Sequence, residues 1–485
     1  MNAVTARHPY IESLLKGYEM PRSGISWLNE LRARALERAN ALKVPTLRDE
    51  EWRFTDIGPL TKAAFRPAAG APRPAPANIA GYFVPEATVR LVFVNGTYAP
   101  ELSATAGMPQ GVVVGSLAAS IAAHAGVIQP HLARHAGFED EIFTALNTAY
   151  LRDGSFIWIS RDRKLPAPVQ LLHVSTQPES AAYPRCLVIA EAGAECTLIE
   201  DYVGLGDAVY FNDSVTEIVA GEGARVRHVR VQRESGGAFH IASCAAVLAK
   251  DAHYASHTVT FGARISRFNL NVLQQGEGVE VKLDGLALIA GRQLADTHTL
   301  MDHARPHGRC RQVHKCIVDG GAHAVFNGKI LVRPGAQLTD SSQQSRSLLL
   351  SDRAHVDVKP QLEIFADDVK CAHGAAIGQI DAEQLFYLQS RGISTASARN
   401  LLTYAFAAEV VDRIPVPSLV ERLERMVLAH TPTLTPTQPS PLIKGEGDPT
   451  IPPPSQGGGN GRGLAALARR LPAGFRRVAQ RRGDR

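Results

Sequence analysis

Between Gly24 and Lys43 the apolar residues Ile25, Leu28, Leu31, Leu36, Ala39 and Leu42 share one helical face, and Pro45 stops the pattern, so this stretch is predicted to be a helix. The Pro/Ala-rich run FRPAAGAPRPAPANIAGYF follows as a linker, with a boundary near residue 80 and a first strand at Val89 to Val94. From about Phe156 to Gly378 the texture changes to short runs of Val, Ile, Leu and Phe punctuated by Gly-Ala-x-apolar or Asp-Ala-x-apolar turns, and no long helix fits there. The turns in GAEC, GARV, DAHY and GVEV put Ala194, Ala224, Ala252 and Val279 at spacings of 30, 28 and 27 residues, with weaker echoes at Ala322 and Ala354. Strands repeated at this interval bury their apolar side chains only against neighbouring repeats, so stacked coils, a β-helix or solenoid, are expected. A β-sandwich is the structural alternative, because short, evenly spaced strands read similarly in either.

The period changes again after the strands. Asp381 with Gln384 forms a capping-box-like start, and DAEQLFYLQSR runs as a helix to a stop at Gly392. Ser394 caps a second helix reaching Val411, and Pro415 and Pro417 precede a third that carries Leu419, Leu423, Met426 and Val427. Residues 431–485 are dense in Pro and Gly without periodicity, which predicts a disordered tail ending in a basic, weakly amphipathic piece. The expected organisation is mainly β: an N-terminal helical region with linker over 1–80, a β-helix core over 81–380, a helical domain over 381–430 and the tail.

The tail changes how the charge is read. Of a formal +5, residues 431–485 hold nine Lys+Arg against three Asp+Glu, leaving 43 against 44 elsewhere, so the globular part has no nucleic-acid signature. No apolar run approaches the ~20 residues of a membrane span, and the N-terminus lacks a signal-peptide core, so a cytoplasmic protein without membrane attachment is expected. Six cysteines, Cys186, Cys196, Cys244, Cys310, Cys316 and Cys371, include no Cys-x-x-Cys pair and read as reduced thiols, most of them buried.

The sharpest chemical signal is Asp367-Asp368-Val369-Lys370-Cys371-Ala372-His373-Gly374. On a strand, residues two apart lie roughly 6.6 Å along the chain on one face, so Cys371 and His373 project together. Thiolate and imidazole suit iron or an iron-sulfur cluster, although one buried Cys beside one surface His is the plainer alternative. His298, His303, His307, Cys310, His314 and Cys316 are dense enough to raise a zinc site, but their spacing fits no established zinc pattern. Asp367 and Asp368 raise a polysaccharide-active β-helix enzyme with paired general acids, without the further carboxylates such a site needs. Gly328-Lys329 is followed by Ile330, so no phosphate-binding loop is formed, and any ATP use requires a partner.

The motifs FNGKI, LLLSD, KPQLEI, DDVKCAHGA and LFYLQSRGI, uninterrupted and in order between Gly320 and Val411, resemble the SufB/SufD family of the SUF iron-sulfur cluster assembly system, as does PTLRDEEWRFTDIGPL near the N-terminus. The DDVKC-x-HGA version resembles the SufD branch and not the SufB branch, a SufB-like paralogue being the alternative within the family. The resemblance implies a right-handed parallel β-helix flanked by helical domains, and a non-catalytic scaffold rather than an enzyme. It further implies a heterodimer with SufB and docking of the SufC ATPase on the C-terminal helices. Carried onto this chain, the family's cluster-related positions fall on Cys371 and His373, as ligands to a transient iron-sulfur cluster shared with SufB, with no cofactor permanently bound. Four ligands usually hold such a cluster, and this motif supplies at most two.

Overall fold

The computed structural model describes residues 9–15, 19, 21, 23–68 and 73–430, so the expected disordered tail over 431–485 lies outside the described residues. Two compact units are present: the described residues up to 379 with 410–423, and residues 380–409 with the described residues from 424 on.

The repeat seen in the sequence has its origin in turn conformation. Gly193, Gly223, Asp251 and Gly278 all have positive φ, between 54° and 72°, a left-handed backbone that Gly adopts freely and Asp tolerates. The residue after each, Ala194, Ala224, Ala252 or Val279, is fully buried. A strand then begins, at Glu195–Gly204, Arg225–Arg233, His253–Gly262 and Glu280–Ile289. Its first amide bonds back to the buried residue of the preceding turn, from Arg225 to the Ala194 carbonyl at 2.8 Å and from His253 to the Ala224 carbonyl at 2.8 Å. The echoes at Ala322 and Ala354 open strands of the opposite sheet, His323–Val332 and His355–Ile364.

From Arg185–Ala190 on, strands alternate between two sheets and pair in parallel with the next strand but one, giving a β-solenoid of about 8 turns and not a sandwich. The first sheet ends with Ile265–Gln274, Leu294–His303, His323–Val332 and His355–Ile364; the second ends with Glu280–Ile289, Arg309–Val318, Thr339–Leu349 and Val369–Gln379. Along each strand alternate side chains enter the interior, where stacked columns such as Cys196, Val226, Tyr254 and Val281 form the core.

The outer face of the first sheet is covered by the N-terminal region. The predicted helix is present at Ser26–Ala41, and it packs with Trp52, Leu60 and Phe65 over Leu187, Ile189, Phe211 and Phe239. A helix at Ile142–Ala149, which the sequence reading did not mark, completes this layer; all eight of its residues are buried, and its polar face of Thr144, Asn147 and Thr148 turns inward, where Asn147 donates to the Pro184 and Asp213 carbonyls. Glu217 fixes the loop before it. Its carboxylate accepts the backbone amides of Ala133, Arg134, His135 and Ala136 and pairs with the wholly buried Arg185 at 2.6 Å, so a buried charge is satisfied on every side.

Residues 410–423 belong to the solenoid unit through Arg413, which donates to Asp284 at 2.6 Å, and Arg422, which donates to the Tyr82 and Phe83 carbonyls. In the second unit Asp381 caps the helix Ala382–Ser390 by accepting from the Glu383 and Gln384 amides, and Gly392 ends it with φ of 80°. Ser394 accepts the Ser397 amide at the start of the next helix, as predicted, and Leu388, Ala398 and Leu401 form the core between them. Among the described residues no helix is long and apolar enough to cross a membrane.

Candidate functional site

The strand Val369–Gln379 is the terminal strand of the second sheet, and His355–Ile364 is the terminal strand of the first. Among the described residues no further strand pairs beyond them, so the last coil presents two rows of backbone donors and acceptors, which native proteins normally cover. Exposed apolar side chains accompany this end: Ile364, Phe365 and Ile377, with Phe365 62% exposed.

Cys371 and His373 lie on this last strand. Cys371 is in register with Ser341 and, a coil earlier, Cys310; His373 is in register with Gln343 and then Gln312. All four of these residues are buried interior groups, so Cys371 and His373 continue two inward-facing columns onto a coil with nothing stacked upon it. The thiol is half-buried against Ile330, Val332, Ala336 and Ala366, and the imidazole is exposed. Burial pushes the Cys371 thiol above its ordinary value; a hydrogen bond with the Ser341 backbone opposes this and Asp340 reinforces it. A metal that displaces the proton therefore replaces an otherwise neutral thiol.

Beneath His373 runs a chain of buried amides. Gln343 donates to Gln312 Oε1 at 2.9 Å, and Gln312 donates to Thr299 at 2.8 Å, while Gln343 Oε1 is buried without a hydrogen bond. The strand Thr339–Leu349 supplies Asp340, Ser341 and Gln343. Sequence reading passed over them, although polar residues at alternate positions of TDSSQQSRSLL were the available signal.

The His/Cys-rich stretch is not brought together. His298 lies on the outer face against Asp296 and Glu51, and His307 sits in a turn 3.5 Å from Glu277. His303 bonds to Gln274 and Ser341 in the interior, and His314 stacks on Phe326 with ring centroids 4.3 Å apart. Burial drives the His314 imidazole down to about 3 and pushes the Cys310 and Cys316 thiols up to about 12, so these groups are neutral core residues. Asp367 and Asp368 are exposed in the turn before the last strand.

Comparison with known proteins identifies the family of the chain. Residues 173–406 match the family described as SUF system FeS cluster assembly, SufBD core domain, and residues 16–171 match the SufBD protein N-terminal region. The chain belongs to the SufBD family of iron-sulfur cluster assembly proteins. It is 41% identical over 414 residues to an iron-sulfur cluster assembly SufBD family protein of Synechocystis, covering 82% of this chain and 90% of that one. It is 34% identical to the iron-sulfur cluster assembly protein SufD of Escherichia coli, over 80% of this chain and 88% of the relative. The SufD of Bacillus subtilis is 25% identical, over 86% of this chain and 96% of its own length. Family membership gives no support to the polysaccharide-active alternative.

Proposed function

We propose that this chain is a SufD-type scaffold subunit, itself without catalytic activity, that pairs with SufB through the open last coil and holds part of a nascent iron-sulfur cluster on Cys371 and His373. The observation that carries this reading is the placement of both residues on the terminal strand of the solenoid, where they end two interior columns on a coil with no further coil stacked upon it among the described residues. The cluster is cargo. A thiolate and an imidazole provide two of the four ligands such a cluster usually needs, and a partner edge laid against this one supplies the rest. Divided ligation suits release, because separating the two edges removes half the coordination.

In the same reading SufC docks on the helices over 381–430, where Phe386 and Tyr387 are large exposed aromatics of the kind that anchor protein interfaces. ATP-driven SufC dimerisation then twists the paired solenoids and opens the shared edge. We place the protein in the cytoplasm, where its six free cysteines remain reduced.

The test is anaerobic iron-sulfur reconstitution of the coexpressed complex of this chain with SufB and SufC, comparing wild type with His373→Ala by visible absorption and bound iron. A marked loss of cluster with the complex intact supports the ligand role. Unchanged cluster content reduces the chain to a structural partner, and loss of the complex marks His373 as an interface residue.

A further inference from the structure

The outer face of the first sheet carries a second constellation at its terminal edge. His323 and His355 are the first residues of neighbouring strands and are paired in register, with ring centroids 4.8 Å apart. Asp357, two residues beyond His355, projects from the same face. Its Oδ2 atom lies 2.7 Å from His323 Nε2 and 3.1 Å from His355 Nε2, so both imidazoles turn the same nitrogen toward one carboxylate oxygen. Among the described residues this is the one group of three or more His, Cys, Asp or Glu side chains whose ligand atoms converge, all within 4.8 Å of one another. Lys359, the next residue on that face, is engaged by Glu50 at 2.6 Å and does not compete for Asp357.

We infer that His323, His355 and Asp357 form a binding site for a divalent first-row transition-metal ion, separate from the Cys371 and His373 edge. Metal to imidazole nitrogen and metal to carboxylate oxygen lengths are about 2.0–2.2 Å. Two such ligands at right-angled to tetrahedral geometry stand roughly 3.0–3.5 Å apart by the same lengths. The two carboxylate-to-imidazole separations, 2.7 and 3.1 Å, already lie close to that range, and the ligand atoms, all within 4.8 Å of one another, close on the ion by side-chain rotation. Two imidazoles with one carboxylate and open remaining positions suit zinc, cobalt or ferrous ions, whereas calcium and magnesium favour all-oxygen sets. His355 is exposed and the edge is open, so an ion has a route in and water completes the coordination. The sequence held a faint trace of the site: an Ala-His pair recurs one coil later, at Ala322-His323 and Ala354-His355.

The test titrates the chelator-treated full chain with cobalt(II) in competition with a chromophoric chelator. The site predicts one equivalent bound, visible ligand-field bands and no thiolate-to-cobalt charge transfer. Both His355→Ala and Asp357→Asn should weaken that binding by more than about tenfold, since even outer-sphere losses cost 10–100-fold; both positions lie at the surface, and unchanged thermal melts confirm folding. Cobalt binding that survives both substitutions, that shows thiolate charge transfer abolished by Cys371→Ala, or that is absent from the wild type overturns the inference.

Discussion

Arg267 holds its guanidinium carbon 3.9 Å from the centroid of the Trp52 ring. The same side chain donates to Asp296 at 2.5 Å and to the Glu51 carbonyl at 2.8 Å, and Thr55 adds a 2.6 Å hydrogen bond to Asp296. The segment EEWRFT is thereby fastened to the outer face of the solenoid by one buried ion pair. Arg267→Ala leaves Asp296 buried and uncompensated, which should cost about 3–5 kcal/mol. Urea unfolding measures it, and a loss below about 1 kcal/mol would show that the pair does not anchor this region.

The same cluster makes stability depend on pH. Burial would lift the Asp296 carboxyl, but Arg267, His298 and Thr55 hold it down at about 2. Burial would lower the His298 imidazole, yet Asp296 and Glu51 raise it above its ordinary value. A raised histidine contributes stability that is fully present below its unfolded value, roughly 6.5, and is lost as pH rises through the folded value. The depressed Asp296 contributes above its unfolded value and loses that contribution as pH falls toward about 2. Between mildly acidic and mildly alkaline pH, wild type should therefore lose its margin over His298→Gln. Parallel melting curves for the two across that range would refute the assignment.

Cys371 is the one cysteine that is not buried. On the folded isolated chain a maleimide should modify Cys371 alone, and the other five should react only after unfolding. Because burial raises the Cys371 thiol, its labelling rate should keep climbing above the ordinary thiol value of roughly 8.5. Mass spectrometry of tryptic peptides checks both points, and early labelling of Cys310 or Cys316 would contradict this core.

Gly328, within FNGKI, faces Gln343, and a Cβ there would stand 2.1 Å from Gln343 Nε2. Gly328→Ala should break the amide chain beneath His373 and cost about 1–3 kcal/mol through overpacking. Thermal unfolding reads the loss. A variant as stable as wild type would mean that Gln343 rearranges at little cost, and that the chain does not support the edge.

Much of the fold was legible because its determinants are local. The left-handed turn at Gly193, Gly223, Asp251 and Gly278, followed by a small buried residue, repeats along the chain and dictates stacked coils. Alternation on a strand put Cys371 and His373 on one face, and the caps at Asp381 and Ser394 announced their helices. The helix Ile142–Ala149 went unmarked because it is only eight residues long and its polar face of Thr144, Asn147 and Thr148 is buried on partners distant in the chain, Pro184, Arg185 and Asp213.

What only the tertiary structure decided depends on register between coils, which linear spacing does not specify. Stacking set Gln343 and Gln312 beneath His373, drew Trp52 to Arg267, and brought His323, His355 and Asp357 to a common point. It also scattered the dense run from His298 to Cys316 between two sheets and two faces, because successive strands of a solenoid turn to different walls. Proximity in the sequence thus carried little weight there, whereas residues about one coil apart became neighbours across a 4.7–4.9 Å ladder.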